Sequence, residues 1–199
     1  MTNVQIQALG NLLQYYRSDL TYIREFKRYK LGKTETGYYL SLSYGTFKSF
    51  INEYRVARNV EKSKTDFLLQ LTMQWVNTKG QKNVDVFAKL LKEKGITHGK
   101  VMTSLASKIL FLNDPWTILP LDNLAKQAVG LKTNIYSHYI PKVDEFKQKN
   151  KREIDSCLNS VSHHLKIIEV DFKDEVENIE MIRYNRFVDK LLWTIGRYE

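Results

Sequence analysis

The chain has 199 residues, 43% of them hydrophobic and 27% charged, a balance that allows a buried core and excludes a disordered polymer. A single cysteine, Cys157, excludes an intramolecular disulfide and a four-cysteine metal or iron–sulfur site. The formal charge of +9 is uneven: residues 169–180 (EVDFKDEVENIE) hold six acids against one lysine, a net of −5, which leaves +14 on the remainder. Such an excess points to a polyanionic partner, because Lys and Arg gain free energy by releasing phosphate counterions, although membranes and acidic partners also attract basic chains.

Apolar residues recur every three to four positions and only three prolines and nine glycines interrupt them, which predicts an all-α, compact helical protein. The length fits one domain over residues 1–199, or two lobes at 1–80 and 81–199 around a shared cleft. No apolar run of membrane-spanning length and no basic-then-apolar leader is present, so the expectation is a cytoplasmic protein that does not engage membranes, with a monomer as the simplest state. Helices are expected near 4–30, 46–58, 62–77, 83–94, 100–112, 123–130, 134–140, 142–165 and 172–196.

The first of these ends in REFKRYKLGK, whose Arg24, Lys27, Arg28, Lys30 and Lys33 interleave with Phe26 and Tyr29. That mixture suits base stacking beside phosphate contacts, but a solvated helix end complementing the macrodipole is the simpler reading. The stretch YYLSLSYG (38–45) reads as an extended connection or short strand. KQKNKR (147–152) lacks aromatic partners and reads as solvated surface, with Cys157 beyond it a small helix residue. In the last helix Arg183, Arg186, Lys190 and Arg197 line one face, the usual pattern of a solvated stripe. Met181, Val188, Leu192 and Ile195 line another, and Trp193 reads as core. His98, His138, His163 and His164 show no metal-ligand spacing, so neither metal nor cofactor is expected.

One short unit carries more information. VMTSLASKILFL (101–112) forms a helix with Met102, Leu105, Ile109 and Leu112 inward and Ser104 and Lys108 on a more polar side. NDPWTILPL follows, and then Asp122 at the mouth of a helix that Gly130 ends. An N-cap role alone accounts for Asp122, since Pro120 stops any earlier helix.

This layout resembles the catalytic segment of the helix-hairpin-helix DNA glycosylases, in which a hairpin of the type Leu-Pro-Gly-x-Gly-x-Lys/Trp-Thr-Ala opens a helix and an aspartate follows. Laid on the chain without gaps, the family's Thr-Ala pair falls on Leu105 and Ala106, its lyase lysine on Ser104 and its catalytic aspartate on Asp122. The run Leu119, Pro120, Asp122, Leu124, Lys126, Gln127 is similar to the bacterial 3-methyladenine branch. SLASKILFLNDPW, PLD and the terminal RFVDKLLWTIG also resemble a group of bacterial proteins similar to these glycosylases. The hairpin glycines fall on Lys100 and Met102, with only Gly99 nearby, so Lys100 and the free N–H groups of the helix start would have to replace part of the phosphate cradle.

The resemblance implies a helix-hairpin-helix glycosylase fold and a monofunctional, water-using DNA glycosylase, because Ser104 cannot form a Schiff base; Lys108, one turn on, is the alternative lyase lysine. Breaking an N-glycosidic bond builds positive charge on the sugar, and a carboxylate held by helix-start N–H groups suits Asp122 to stabilise that charge more than to accept a proton. Lys100, Ser104, Lys108, Asn123, Lys126 and Gln127 are the candidate DNA contacts. Tyr44, Trp75, Trp116 and Tyr136 are candidates for the pocket that takes an extruded base, although each aromatic is more simply core. The substrate would be a damaged or modified base, met in repair or in antiviral defence against phages with modified DNA. The alternatives are a non-catalytic nucleic-acid-binding protein on the same scaffold and a helical protein-interaction module in which Asp122 is only a cap. No carboxylate cluster with metal spacing supports a nuclease.

Overall fold

In a computed structural model that describes residues 1–78 and 83–198, the chain is all-α: eleven α-helices and two 3-10 turns, with no strand among the described residues. The helices are α1 (Asn3–Lys30), α2 (Thr36–Tyr39), α3 (Phe47–Glu53), α4 (Thr65–Asn77), α5 (Val84–Glu93), α6 (Thr103–Phe111), α7 (Asn123–Ala128), α8 (Tyr136–Lys149), α9 (Lys151–Ser160), α10 (Ser162–Glu169) and α11 (Ile179–Ile195). None of them is long and apolar enough to cross a membrane. The boundary between two lobes expected at residues 80 and 81 lies outside the described residues.

The longest helix is fixed from both ends. Thr2 and Gln5 form a reciprocal capping box at the start of α1, and Lys27, Arg28 and Lys30 sit in its last turn, where they offset the partial negative charge of the carbonyls. Between them Leu12, Tyr16, Leu20 and Ile23 repeat at three to four residues and are buried. This face packs on α11, whose Ile182, Phe187, Val188 and Leu192 are buried in turn. Burying such a Leu, Ile or Phe contributes roughly 1.5–3 kcal/mol.

α11 also packs on α7, and α5 on α6. The first contact is close enough to dictate a glycine. A Cβ added at Gly196 would lie 2.1 Å from the backbone oxygen of Leu124, so the end of α11 approaches α7 backbone to backbone. α7 is thereby held between the terminus of α11 and the segment that precedes it.

Several boundaries differ from expectation. Residues 38–45 form no strand; they close α2 and then turn, with Tyr39 buried and stacked on Tyr29 at 4.4 Å, because no neighbouring strand exists to pair with. The helix expected over 46–58 stops at Glu53, and Arg55 takes a left-handed φ of 55°. Pro141 does not separate two helices: it sits exposed inside α8, past the first turn, and the helix runs through it without the one backbone bond that its nitrogen cannot donate. The long helix expected to follow breaks instead at Asn150, whose side chain donates to the Phe146 carbonyl at 2.8 Å, and again at Val161. The last helix starts at Ile179, after turns that end with Asn178 at φ 53°. In the 147–152 cluster Lys147 is half-buried beside Asp144, and burial lowers the pKa of its amine, so this surface is not wholly solvated.

Candidate functional site

Asp122 is positioned by the extended, buried segment before it. The Leu121 N–H donates to the Ser107 hydroxyl at 2.9 Å, which ties the segment to α6. The Tyr136 hydroxyl accepts from the Leu119 N–H and donates to the Leu119 carbonyl, both at 3.0 Å. Burial pushes the Tyr136 hydroxyl well above its ordinary pKa, so it stays neutral and keeps both roles. Asp85 in turn accepts from the Tyr136 and Ser137 N–H groups at the start of α8, which fixes the brace.

At the end of this segment the two carboxylate oxygens of Asp122 have different partners. Oδ1 accepts from the Leu124 N–H at 3.0 Å and caps α7. Oδ2 lies 3.6 Å from Nζ of Lys108, with the Asp122 side chain 31% exposed and that of Lys108 13% exposed. Nζ also donates to the Tyr54 carbonyl at 3.2 Å, just before the left-handed Arg55. A half-exposed carboxylate is therefore held at both oxygens, between α6, α7 and the end of α3.

Behind this pair lies a buried ionic network. Arg186, 1% exposed, donates through Nε to Asp19 at 2.7 Å and through Nη1 to Asp189 at 3.0 Å. Its Nη2 reaches the Tyr54 hydroxyl at 3.4 Å, and that hydroxyl donates to Asp19. Burial opposes the Arg186 charge, but Asp19, Tyr54 and Asp189 outweigh it and raise its pKa. Next along α11, Lys190 has its amine pKa lowered by burial and then by the Arg186 cation, with Lys108 adding to the effect. The Tyr139 hydroxyl on α8 is buried without a hydrogen-bond partner among the described residues, and burial, followed by the Asp189 charge, raises its pKa.

These residues correct the expectation of a solvated cationic stripe on α11: Arg186 is interior, and Arg183 makes a two-nitrogen contact with Glu169 at 2.7 Å. Met181, expected inward, is 51% exposed, and Trp193 is half-buried beneath the Arg197 guanidinium. One signal for the network was present in the sequence. Asp19 lies within the apolar repeat of α1, three residues from Tyr16 and four from Ile23, where an unpaired carboxylate would be costly.

The other predicted site residues have varied settings. Lys100 is exposed at the end of a turn in which His98 and Gly99 both take positive φ (45° and 71°) and the Lys100 N–H donates to the Thr97 carbonyl at 2.8 Å. That turn stands where the resemblance expects the hairpin, and it leads into α6, whose N-cap Met102 offers no side-chain cap. Ser104 is half-buried in the first turn of α6, and Asn123 and Gln127 are exposed on α7. Lys126, a candidate DNA contact, is instead buried with Nζ on the Asn134 side-chain oxygen at 2.9 Å.

The four aromatics do not share one pocket. Trp75 is buried against Phe87 at 5.2 Å, and Tyr136 is the brace described above. Trp116 is half-buried, with its carbonyl accepting from Asn185 at 2.7 Å. Tyr44 is exposed beside Tyr22, 5.9 Å between ring centroids.

Part of the charge asymmetry is closed within the molecule. Arg17 pairs with Asp171 and Lys27 with Glu177, both at 2.5 Å, and Arg28 with Glu175 at 2.7 Å. Phe26 is buried and Tyr29 is taken by Tyr39, so the basic end of α1 is not a free stacking platform. By contrast Lys48, Arg55, Arg58, Lys62 and Lys100 are exposed and form no ion pair among the described residues. Arg55 adjoins the carbonyl that holds Lys108.

Comparison of the chain with protein-family models, with curated proteins and with solved structures gives no match.

Proposed function

We propose that the chain is a monofunctional DNA glycosylase that hydrolyses the N-glycosidic bond of a damaged or modified base, with Asp122 as its catalytic carboxylate. The observation that carries this reading is the Asp122–Lys108 pair: a half-exposed carboxylate, 3.6 Å from a lysine and held by a backbone N–H, at a surface with unpaired cations nearby. As the bond between C1′ and the base nitrogen breaks, its electron pair leaves with the base and positive charge builds on the sugar. A fixed carboxylate offsets that charge. Water then bonds to C1′ and releases a proton that balances the departing base. Lys108 is engaged by a carboxylate and a carbonyl, which suits it to orient Asp122 rather than to attack the sugar. Arg55 and Lys100, with the uncapped start of α6, supply phosphate contacts in this reading.

The unpaired cations alone favour a second reading, binding of nucleic acid without chemistry, and one experiment separates the two. Purified protein is incubated with alkylated DNA and with DNA from phages carrying modified cytosines, and free bases and abasic sites are measured. The glycosylase reading expects release by the natural chain and none by Asp122→Asn, with DNA binding retained in both. Release undiminished in Asp122→Asn overturns the role of Asp122, and salt-sensitive binding without any abasic sites favours mere binding.

A further inference from the structure

A concave region lies on α1, and Asp122 takes no part in it. Arg17, Thr21, Arg24 and Arg28 follow one another at steps of four, three and four, so their side chains form one row along the helix. Asp19, Tyr22 and Phe26 project from the other side, where Asp19 meets Arg186. The row borders a cleft of about 600 Å³ that is also lined by Tyr38, Tyr44 and Phe172. That volume falls in the range of small-molecule sites. Tyr38 and Tyr44 are 53% and 59% exposed, which is unusual for two rings lining one cavity and leaves them open to stack on a planar ligand.

The geometry points to a nucleotide site: a ligand that joins a phosphate to a planar base, its phosphate on the arginine row and its base against Tyr38 and Tyr44. Each part of the cleft bears on that choice. Arg24 gives only Nε to a carboxylate, Glu25 at 3.0 Å, and its two terminal nitrogens donate to no described residue. The same Glu25 oxygen also serves Arg28 at 3.3 Å, while both oxygens of Glu175 hold Arg28 at 2.7 and 2.9 Å, so Arg24 and Arg17 are the guanidiniums left to meet a phosphate. Phe172 lies under Arg24 at 5.0 Å and holds the fork in place. Arg17 pairs with Asp171 and lies 5.9 Å from the Phe172 ring centroid; both side chains of the ion pair are about half exposed, so a phosphate dianion can displace that carboxylate.

The two acids narrow the ligand further. A bare polyanion would meet Glu25 and Asp171 unfavourably, whereas a nucleotide also offers them base N–H donors. No glycine-rich phosphate loop takes part; recognition rests on side chains. A free nucleotide and a single-stranded nucleic acid present the same chemistry, and the test separates them.

The full chain is titrated by calorimetry with adenosine 5′-monophosphate, adenosine, inorganic phosphate and a short single-stranded DNA oligonucleotide. The expected result is that the monophosphate or the oligonucleotide binds more tightly than either adenosine or phosphate. Arg24→Gln and the double variant Tyr38→Ala/Tyr44→Ala should each weaken this binding roughly tenfold, the size of one charge-assisted contact or one stacked base. Thermal melting confirms folding, and since both tyrosines are exposed the second variant stands if the first fails to fold. Binding by the monophosphate assigns a free nucleotide, and binding by the oligonucleotide alone assigns a strand. Asp122→Asn should bind as the natural chain does, and absence of base release by the enzyme leaves the result untouched. The inference is overturned if neither ligand binds, if phosphate alone binds as well as the monophosphate, or if binding survives both variants.

Discussion

Two carboxylate–cation pairs lie on either side of Tyr54, and their burial separates their roles. Asp19 and Arg186 are 2% and 1% exposed and share the Tyr54 hydroxyl, and Arg186 also holds Asp189. Lys108, which pairs with Asp122, donates also to the Tyr54 carbonyl, and Asp122 stays 31% exposed to solvent. The inner pair is fully desolvated, so much of its attraction goes to offset what burial costs, and neither charge can be lost without stranding the other. The outer pair costs little to form and leaves a carboxylate that a ligand can approach. Charge in this protein is structural where every partner is internal and available for chemistry where one side is left to solvent.

The largest effect is expected at the inner pair. Arg186→Met leaves Asp19 and Asp189 buried without their cation and should cost about 3–5 kcal/mol. Urea denaturation measures it; a loss below 1 kcal/mol would mean that water reaches these acids and that the contrast with Asp122 is false. Next comes Gly196→Ala. Its Cβ would meet the Leu124 backbone oxygen at 2.1 Å, so α11 or α7 must shift, at a cost of roughly 1–3 kcal/mol. Because α7 carries Asp122 at its start, base release should fall with stability in this variant, whereas Arg186→Met below its melting transition should retain it.

Asp122 itself should respond to charge and to capping separately. Asn caps helices as well as Asp does, so Asp122→Asn should alter stability by no more than about 0.5 kcal/mol, while Asp122→Ala should cost about 1 kcal/mol. A loss of several kcal/mol in Asp122→Asn would place this pair with Asp19–Arg186 and remove the physical basis for a catalytic carboxylate.

The same contrast marks what was legible in the sequence. The all-α class and the cap at Asp122 follow from residues within a few positions of one another, and local periodicity and helix-end chemistry reveal both. The Lys108–Asp122 pair spans 14 residues and two elements, and only the chance that both fall on polar sides hinted at it. The inner network joins residues 19, 54, 186 and 189, and no local pattern states that α1 and α11 lie face to face. Arg186 therefore read as one member of a solvated stripe. Likewise the basic run of α1 and the acidic run at 169–180 were each visible, yet their mutual neutralisation depends on a contact between segments some 150 residues apart.

That neutralisation gives the smallest effect and a sign to test. Hydrogen bonding to Arg28 holds the Glu175 carboxyl below its ordinary 4.5, and Lys27 does the same for Glu177. A carboxylate whose folded pKa is depressed binds protons more weakly when folded. Its contribution is therefore complete above the ordinary value and is lost as pH falls through the lowered one. Both pairs are largely exposed, so together they should contribute no more than about 1 kcal/mol. Glu175→Gln/Glu177→Gln should lower stability slightly at pH 7 and at low salt, converge with the natural chain as pH falls below the carboxylate range, and differ less at 1 M salt, where screening within about 3 Å weakens exposed pairs. Removing two acids also uncovers Lys27 and Arg28, so binding to single-stranded DNA should tighten with a steeper salt dependence. An unchanged salt slope would show that the acidic segment does not mask a phosphate-binding face, and would leave the surface around Arg55 and Lys100 as the proposed DNA-binding face.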